Sequence, residues 1–331
     1  MNALHNQRCL VTGAAGFIGS HLVQALVDQG ARVRALVHYH AGASLGNLDL
    51  LPPDIASSIE VVRGDITDPT SIDRAVEGCA VVFHLAALIS IPYSLEATQR
   101  YLEVNTGGTL KVIEACRRHA VTRLVHTSTS EVYGTAQTEK MTEAHPLCAQ
   151  SPYAATKIAA DALIESMYRN VGLPVTTVRP FNTYGPRQST RAVIPAIVSQ
   201  LLRNADKLTL GDLRPTRDFL HVSDTVAGFI AAACCDNAIG KVFNLATGRD
   251  VSIASVAQTA MTLLNCEVPI VQDDNRTRPP LGEVTRLCGD AISARETLGW
   301  TPKVSLEQGL QSVIDFIRSH PMRFNPTEQW R

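Results

Sequence analysis

The stretch VTGAAGFIGSHL, Val11 to Leu22, ends one apolar run and begins another of different period. The run before it, RCLVT (8–12), has the uninterrupted apolar character of a strand buried on both faces. After it, residues 17–29 place apolar side chains at helical spacing and stop at Gly30. Between them stand Gly13, Gly16 and Gly19. Glycine lets the backbone turn tightly and come close to a bound group, and a helix N-terminus attracts phosphate. A glycine loop alone says little, because turns need glycine anyway. In this strand–loop–helix setting it predicts a dinucleotide pyrophosphate site, although the G-x-x-G-x-x-G spacing differs from the commoner fingerprint.

The pattern repeats outward from this unit. Apolar runs at 32–38, 59–65, 80–87, 122–129 and 174–180 alternate with helical stretches at 68–78, 97–119 and 153–171. Strands apolar throughout, separated by helices, indicate a parallel sheet covered on both faces. The expectation is an α/β chain: a Rossmann-type doubly wound parallel sheet in residues 1–180, and a smaller C-terminal α/β substrate lobe in 181–331. After Pro180 the pattern predicts helices at 192–204, 223–235, 252–264 and 306–319, and strands near 208–210, 218–220 and 241–246. Some of these later segments are expected to return to the sheet.

Composition narrows the function. Of 331 residues, 45% are hydrophobic and 18% charged, the balance of a chain with a substantial core. A net charge of −1 offers no bulk field for nucleic acid or an anionic membrane, so neither is an expected partner. The eight cysteines form no C-x-x-C pair, which argues against a metal cluster and a disulfide framework and for buried thiols in a reducing compartment. No run approaches the ~18 apolar residues of a membrane span, and the N-terminus passes straight into a strand. A cytoplasmic location is expected.

A ribose-binding acid belongs at the end of the second strand, where this chain has Val37 and His38. Either the ribose is held by backbone and other groups, or the missing acid lets a 2′-phosphate in beside His38 or His40; NAD and NADP both stay open. Asp65, after the third strand, is placed to accept from an adenine amino group, or simply to form a turn. Tyr153 and Lys157 are four apart on a predicted helix, hence on one face. A cation beside a phenol lowers its pKa and makes a proton-transfer pair. A hydroxyl, Thr129, precedes them at a strand end. His84 reads as a packed core histidine.

Together the blocks TGAAGFIGSHL, GDITD, HLAA (84–87), VNTGGT (104–109), TSEVYG (129–134), YAATK (153–157), RPFNTYGPRQ (179–188) and TRDFLHVSDT (216–225) resemble the extended short-chain dehydrogenase/reductase family that modifies nucleotide sugars. The resemblance implies a tightly held NAD(P)+ against Gly13, Gly16, Phe17, Ile18, Gly19, His38, Asp65, Ile66, Leu85, Ala86, Ala87, Tyr153 and Lys157. It implies that Thr129, Tyr153 and Lys157 work at sugar C4, and that Asn182, Arg187, Arg217 and Arg278 lie along the nucleotide sugar. It also implies a homodimer through the 97–119 and 153–171 helices.

The triplet Thr129-Ser130-Glu131 bears on the reaction. Family epimerases usually carry small residues after the catalytic hydroxyl. Family 4,6-dehydratases carry T-D-E or T-S-E, in which the glutamate removes the C5 proton acidified by a C4 ketone. UDP-glucuronate decarboxylases share T-S-E. The flanking blocks look most like the NAD-dependent 4,6-dehydratases of the legionaminic-acid pathway, which act on a nucleotide-linked N-acetylglucosamine. A dinucleotide sensor without turnover is the contrasting reading, disfavoured because the Tyr/Lys pair and the second base are all present.

Overall fold

The computed structural model describes residues 3–39, 42–203, 205–273 and 282–324. Seven strands build the central sheet: β1 (Arg8–Thr12), β2 (Arg32–His38), β3 (Glu60–Gly64), β4 (Val81–His84), β5 (Arg123–Thr127), β6 (Val175–Pro180) and β7 (Val242–Leu245). Their order is β7-β6-β5-β4-β1-β2-β3, and every pairing is parallel. Strand order reverses between β1 and β4, and ligands of open α/β sheets bind outside the carboxyl ends at such a point. β7 comes from beyond the substrate segments and rejoins the sheet beside β6.

Alternation along each strand separates two cores. Val11, Val33, Phe83 and Val125 pack with Leu22, Leu26 and Phe229 on one face. Leu10, Leu36, Val82 and Leu124 pack with Ile72, Ile113 and Ile164 on the other. A third cluster, including Ile197, Val256, Leu310 and Ile314, forms the core of the C-terminal lobe around the helices Val193–Leu201, Ile253–Leu264 and Leu306–Ser319.

Three expectations need correction. The 97–119 helix is not uniform: α-helical Thr98–Tyr101 and Gly108–Arg118 flank a π turn, Leu102–Gly107. The strand near 218–220 is two strands, Thr216–Arg217 and Phe219–His221, in different sheets. Between them the buried Asp218 carboxylate accepts from Thr247 N and Oγ1, Gly248 N and Gly289 N, which pins the crossing point. The cysteines, all free, are not uniformly buried. Cys9, Cys79, Cys116 and Cys288 are, but Cys148 and Cys234 are exposed; Cys234 is the last residue of its helix. Among the described residues no helix is long and apolar enough to cross a membrane.

Candidate active site

A cleft of about 1950 Å³ opens outside the carboxyl ends of the strands and extends against the C-terminal lobe. The expected site residues that the structure describes all line it; Arg278 lies outside the described residues.

The floor is the glycine loop. Gly13 has φ +70°, and a Cβ there stands 2.8 Å from Ala86 N. A Cβ on Gly19 falls 2.2 Å from Gly13 O, so a side chain cannot be added without moving the loop. The helix Phe17–Asp28 starts at Gly16 with no side-chain cap, leaving its first amides to a ligand. At the far end, exposed His38 stands where a ribose acid is usual, its Nδ1 3.9 Å from Asp65 Oδ2. Asp65 forms the turn foreseen for it, with one carboxylate oxygen left towards the cleft. Its Oδ1 accepts from Thr67 N and Oγ1, each at 2.7 Å, and Oδ2 faces the cleft 3.6 Å from Arg100 Nη2. The loop, the uncapped helix and the half-exposed acid fit a dinucleotide.

The catalytic wall is built from β5 and the helix Pro152–Val171. Thr129, two residues past the end of β5, is extended and caps a short 3₁₀ turn, Ser130–Tyr133, by accepting from Glu131 N at 3.2 Å. That turn carries Ser130, buried, and Glu131, half-buried on the cleft wall. The Thr129 hydroxyl also stands beside the Tyr153 phenol, near enough to lower its pKa. Lys157 Nζ, one turn along, donates to Thr127 O at 2.6 Å.

The electrostatics differ from the simple expectation of a phenol made acidic by its lysine. Burial pushes the Tyr153 phenol well up, and the nearby Glu131 carboxylate adds to that, while the Thr129 hydroxyl opposes it. Burial also pulls Lys157 down to about 8, against the support of Asp161. Desolvation outweighs the pairing because both groups lie under the protein surface. The resting phenol is therefore protonated, and becoming a base requires further positive charge in the cleft.

Sequence reasoning passed over the groups that hold this wall. Asn105, in the π turn, bonds to Leu88 and to Thr156 Oγ1 at 3.1 Å, linking the loop after β4 to the catalytic helix. His84 is the buried core residue expected, between Thr12 Oγ1 and Thr109 Oγ1, each at 2.9 Å. The spacing Tyr153, Lys157, Asp161 was the available signal for a third member, since 153, 157 and 161 share a helix face.

On the substrate side, Arg217 is buried and its Nη2 meets Glu283 Oε1 at 2.9 Å, both lining the cleft. Arg187 lies nearer the dinucleotide helix than the substrate assignment implies: its Nη2 donates to Gln24 Oε1 at 2.7 Å. Thr127 Oγ1, Asn182 Oδ1, Arg187 Nη1 and Gln188 Oε1 are buried polar atoms without partners, and all four residues line this cleft. Buried polar groups are ordinarily satisfied, so these four atoms are available to a polar ligand in the cleft.

The family model described as "GDP-mannose 4,6 dehydratase" matches residues 10–313. A UDP-glucose 4-epimerase from Mycolicibacterium smegmatis is 35% identical over 94% of this chain and 99% of its own. A dTDP-glucose 4,6-dehydratase from Actinoplanes sp. is 33% identical over 95% and 98%. The crystal structure of a UDP-glucuronic acid 4-epimerase from Bacillus cereus, in complex with UDP-glucuronic acid and NAD, superposes with a TM-score of 0.87 at 30% identity. It covers 95% of this chain and 100% of its own. These relatives differ in reaction, so identity alone does not choose between dehydration and epimerisation.

Proposed function

Because this chain belongs to the GDP-mannose 4,6-dehydratase family of extended short-chain dehydrogenases/reductases, we propose that it is an NAD(P)-dependent nucleotide-sugar 4,6-dehydratase acting on a nucleotide-linked N-acetylglucosamine. The observation that carries this reading is Glu131. It sits on the cleft wall two residues from Thr129 and close enough to Tyr153 to raise the phenol. An epimerase, which only returns hydride to the other face of C4, has no use for a second base there.

The chemistry supplied by the bound dinucleotide is reversible acceptance of hydride, taken from C4 and given back at C6. Tyr153 removes the C4 hydroxyl proton, with the Thr129 hydroxyl beside the phenol. The Lys157 ammonium offsets the phenolate charge and holds the nicotinamide ribose. Glu131 takes the C5 proton, acidified by the neighbouring ketone. The departing C6 hydroxyl receives a proton from Ser130, from the newly protonated Glu131 or from a bound water and leaves as water. C5 is reprotonated as hydride enters C6, and the proton that Tyr153 took from the C4 hydroxyl makes up the one lost in the water. The sum is loss of one water with no net oxidation. Arg217 receives the diphosphate in this reading, as a planar fork suits phosphate oxygens.

The reading includes a homodimer through the Thr98–Arg118 segment and the helix Pro152–Val171, whose outer faces expose Leu102, Leu110, Tyr168 and Val171. Eight free cysteines support a reducing compartment, the cytoplasm. Incubation with a panel of nucleotide sugars, followed by mass analysis, tests the function. Loss of water supports it, loss of carbon dioxide means a decarboxylase, and unchanged mass with a new stereoisomer means an epimerase.

A further inference from the structure

Three positions on one face of the helix Pro152–Val171 meet the end of β5 as the rungs of a ladder. The Tyr153 phenol stands beside the Thr129 hydroxyl, and Lys157 Nζ donates to Thr127 O at 2.6 Å. One turn further, Asp161 accepts from Ser128 Oγ at 2.8 Å and from His126 Nε2 at 3.0 Å. It also accepts from Arg179 of β6, Nε at 3.2 Å and Nη2 at 2.9 Å. Asp161 thus grips the residues on either side of Thr127, whose carbonyl receives the lysine. It is buried and does not line the cleft.

We propose that Asp161 is a positioning residue that fixes the Thr127 carbonyl and supplies the buried negative charge that keeps Lys157 an ammonium. The proposal rests on the reading that Lys157 works as a cation in this cleft. The titratable and charged groups packed around it are His84 from β4, His126 from β5, Arg179 from β6, and Tyr153 and Asp161 from its own helix. Glu131 and Tyr101 lie beyond, against Tyr153. Burial holds both histidines down and therefore neutral near pH 7. Burial takes Lys157 to about 8, and Asp161 is the group that opposes the fall. Removing that negative charge lowers the lysine further, so the ammonium is lost at lower pH. Asp161 itself stays ionised: burial raises it, but the His126 hydrogen bond and the charges of Arg179 and Lys157 hold it at about 2.

The test is NAD+ affinity, measured by calorimetry on the wild type and on Asp161→Asn and Asp161→Glu between about pH 6 and about pH 10. Wild-type affinity is expected to fall as pH passes through the lysine's value. In Asp161→Asn the fall begins about one pH unit earlier, so binding on the alkaline limb is roughly tenfold weaker than wild type; Asp161→Glu recovers part of it. A folded Asp161→Asn whose limb coincides with wild type overturns the Asp161 assignment alone. A flat wild-type curve, or a Lys157→Met variant that keeps the wild-type limb, overturns the reading of Lys157 as well. Should Asp161→Asn not fold, Ser128→Ala keeps every charge and removes one bond of the grip. Its limb is expected to move the same way by less, and an unmoved limb in that variant counts against the proposal equally.

Discussion

Asn105 Oδ1 accepts the backbone N–H of Leu88 at 2.8 Å, and its Nδ2 returns a bond to the Leu88 carbonyl at 3.0 Å. The side chain imitates a strand neighbour for the loop after β4, which has none there. Asn105→Ala leaves both Leu88 groups without their partner, and is expected to cost roughly 1–3 kcal/mol in denaturant unfolding. Because Leu88 lines the cleft, NAD+ affinity is expected to fall as well, measurable by calorimetry on the folded variant.

Glu131→Gln separates the two halves of the proposed reaction. With Tyr153, Lys157 and Thr129 untouched, C4 oxidation should proceed and absorbance of the reduced cofactor should accumulate. Release of the 4-keto-6-deoxy sugar should drop by roughly 10²–10⁴-fold, the usual worth of a positioned general base. Product formed at the wild-type rate would falsify the role.

Gly19→Ala is expected to abolish dinucleotide binding, because the new methyl falls 2.2 Å from Gly13 O. The contact is with backbone, so no side-chain rotation relieves it. Gly172→Ala is the contrast: nothing lies within 4 Å of a Cβ there, but its φ of +67° is strained for alanine. That variant should lose about 1 kcal/mol of stability while keeping cofactor affinity. Thermal melts with and without NAD+ distinguish the two.

Arg217→Gln removes a buried guanidinium facing the cleft, together with its ion pair to Glu283. Affinity for a nucleoside diphosphate should fall roughly 10- to 100-fold, in line with about 1.5–3 kcal/mol for charged hydrogen bonds. Arg217→Lys should recover only part, since an ammonium lacks the fork. Equal affinity in Arg217→Gln and wild type argues against the phosphate assignment.

Asp161 also predicts an acid limb for stability. Its folded value of about 2 lies below the ordinary carboxylate value, so its ionisation stabilises the fold above about pH 4 and that support fades as pH falls towards 2. The stability gap between wild type and Asp161→Asn should therefore narrow by on the order of 2 kcal/mol over that interval. Urea unfolding at a series of pH values measures it.

The central sheet was legible because its strands are buried on both faces and their apolar runs need no partner information. β1 and β2 were readable to the residue, β3, β5 and β6 to within a residue or two at one or both ends, and β4 stops three residues before the end of its apolar run. The glycine loop and the Tyr153–Lys157 pair were legible because local spacing constrains them, whereas Thr129 and Glu131 were singled out by the resemblance of their block. What escaped was non-local. The Asp161–His126–Ser128–Arg179 cluster joins two strands and a helix far apart in sequence, and each member alone looks ordinary. The crossing at Asp218 depends on donors at 247, 248 and 289. Burial of Tyr153 and Lys157, which overrides their pairing, is a property of everything packed above them.

The π turn at Leu102–Gly107 sets a phase. An added residue in a helix advances everything beyond it by about 100°. Here the offset lets Tyr101 turn to Ser90 and the Tyr153 ring. Past it, Thr109 faces His84, and Val112 and Ile113 enter the core beneath the sheet. Deleting one residue there has the look of a repair, since it restores an unbroken helical period. Its effect is to slip a gear: either the tyrosine or the core face loses its mesh. The more regular sequence is the one expected to lose the cleft.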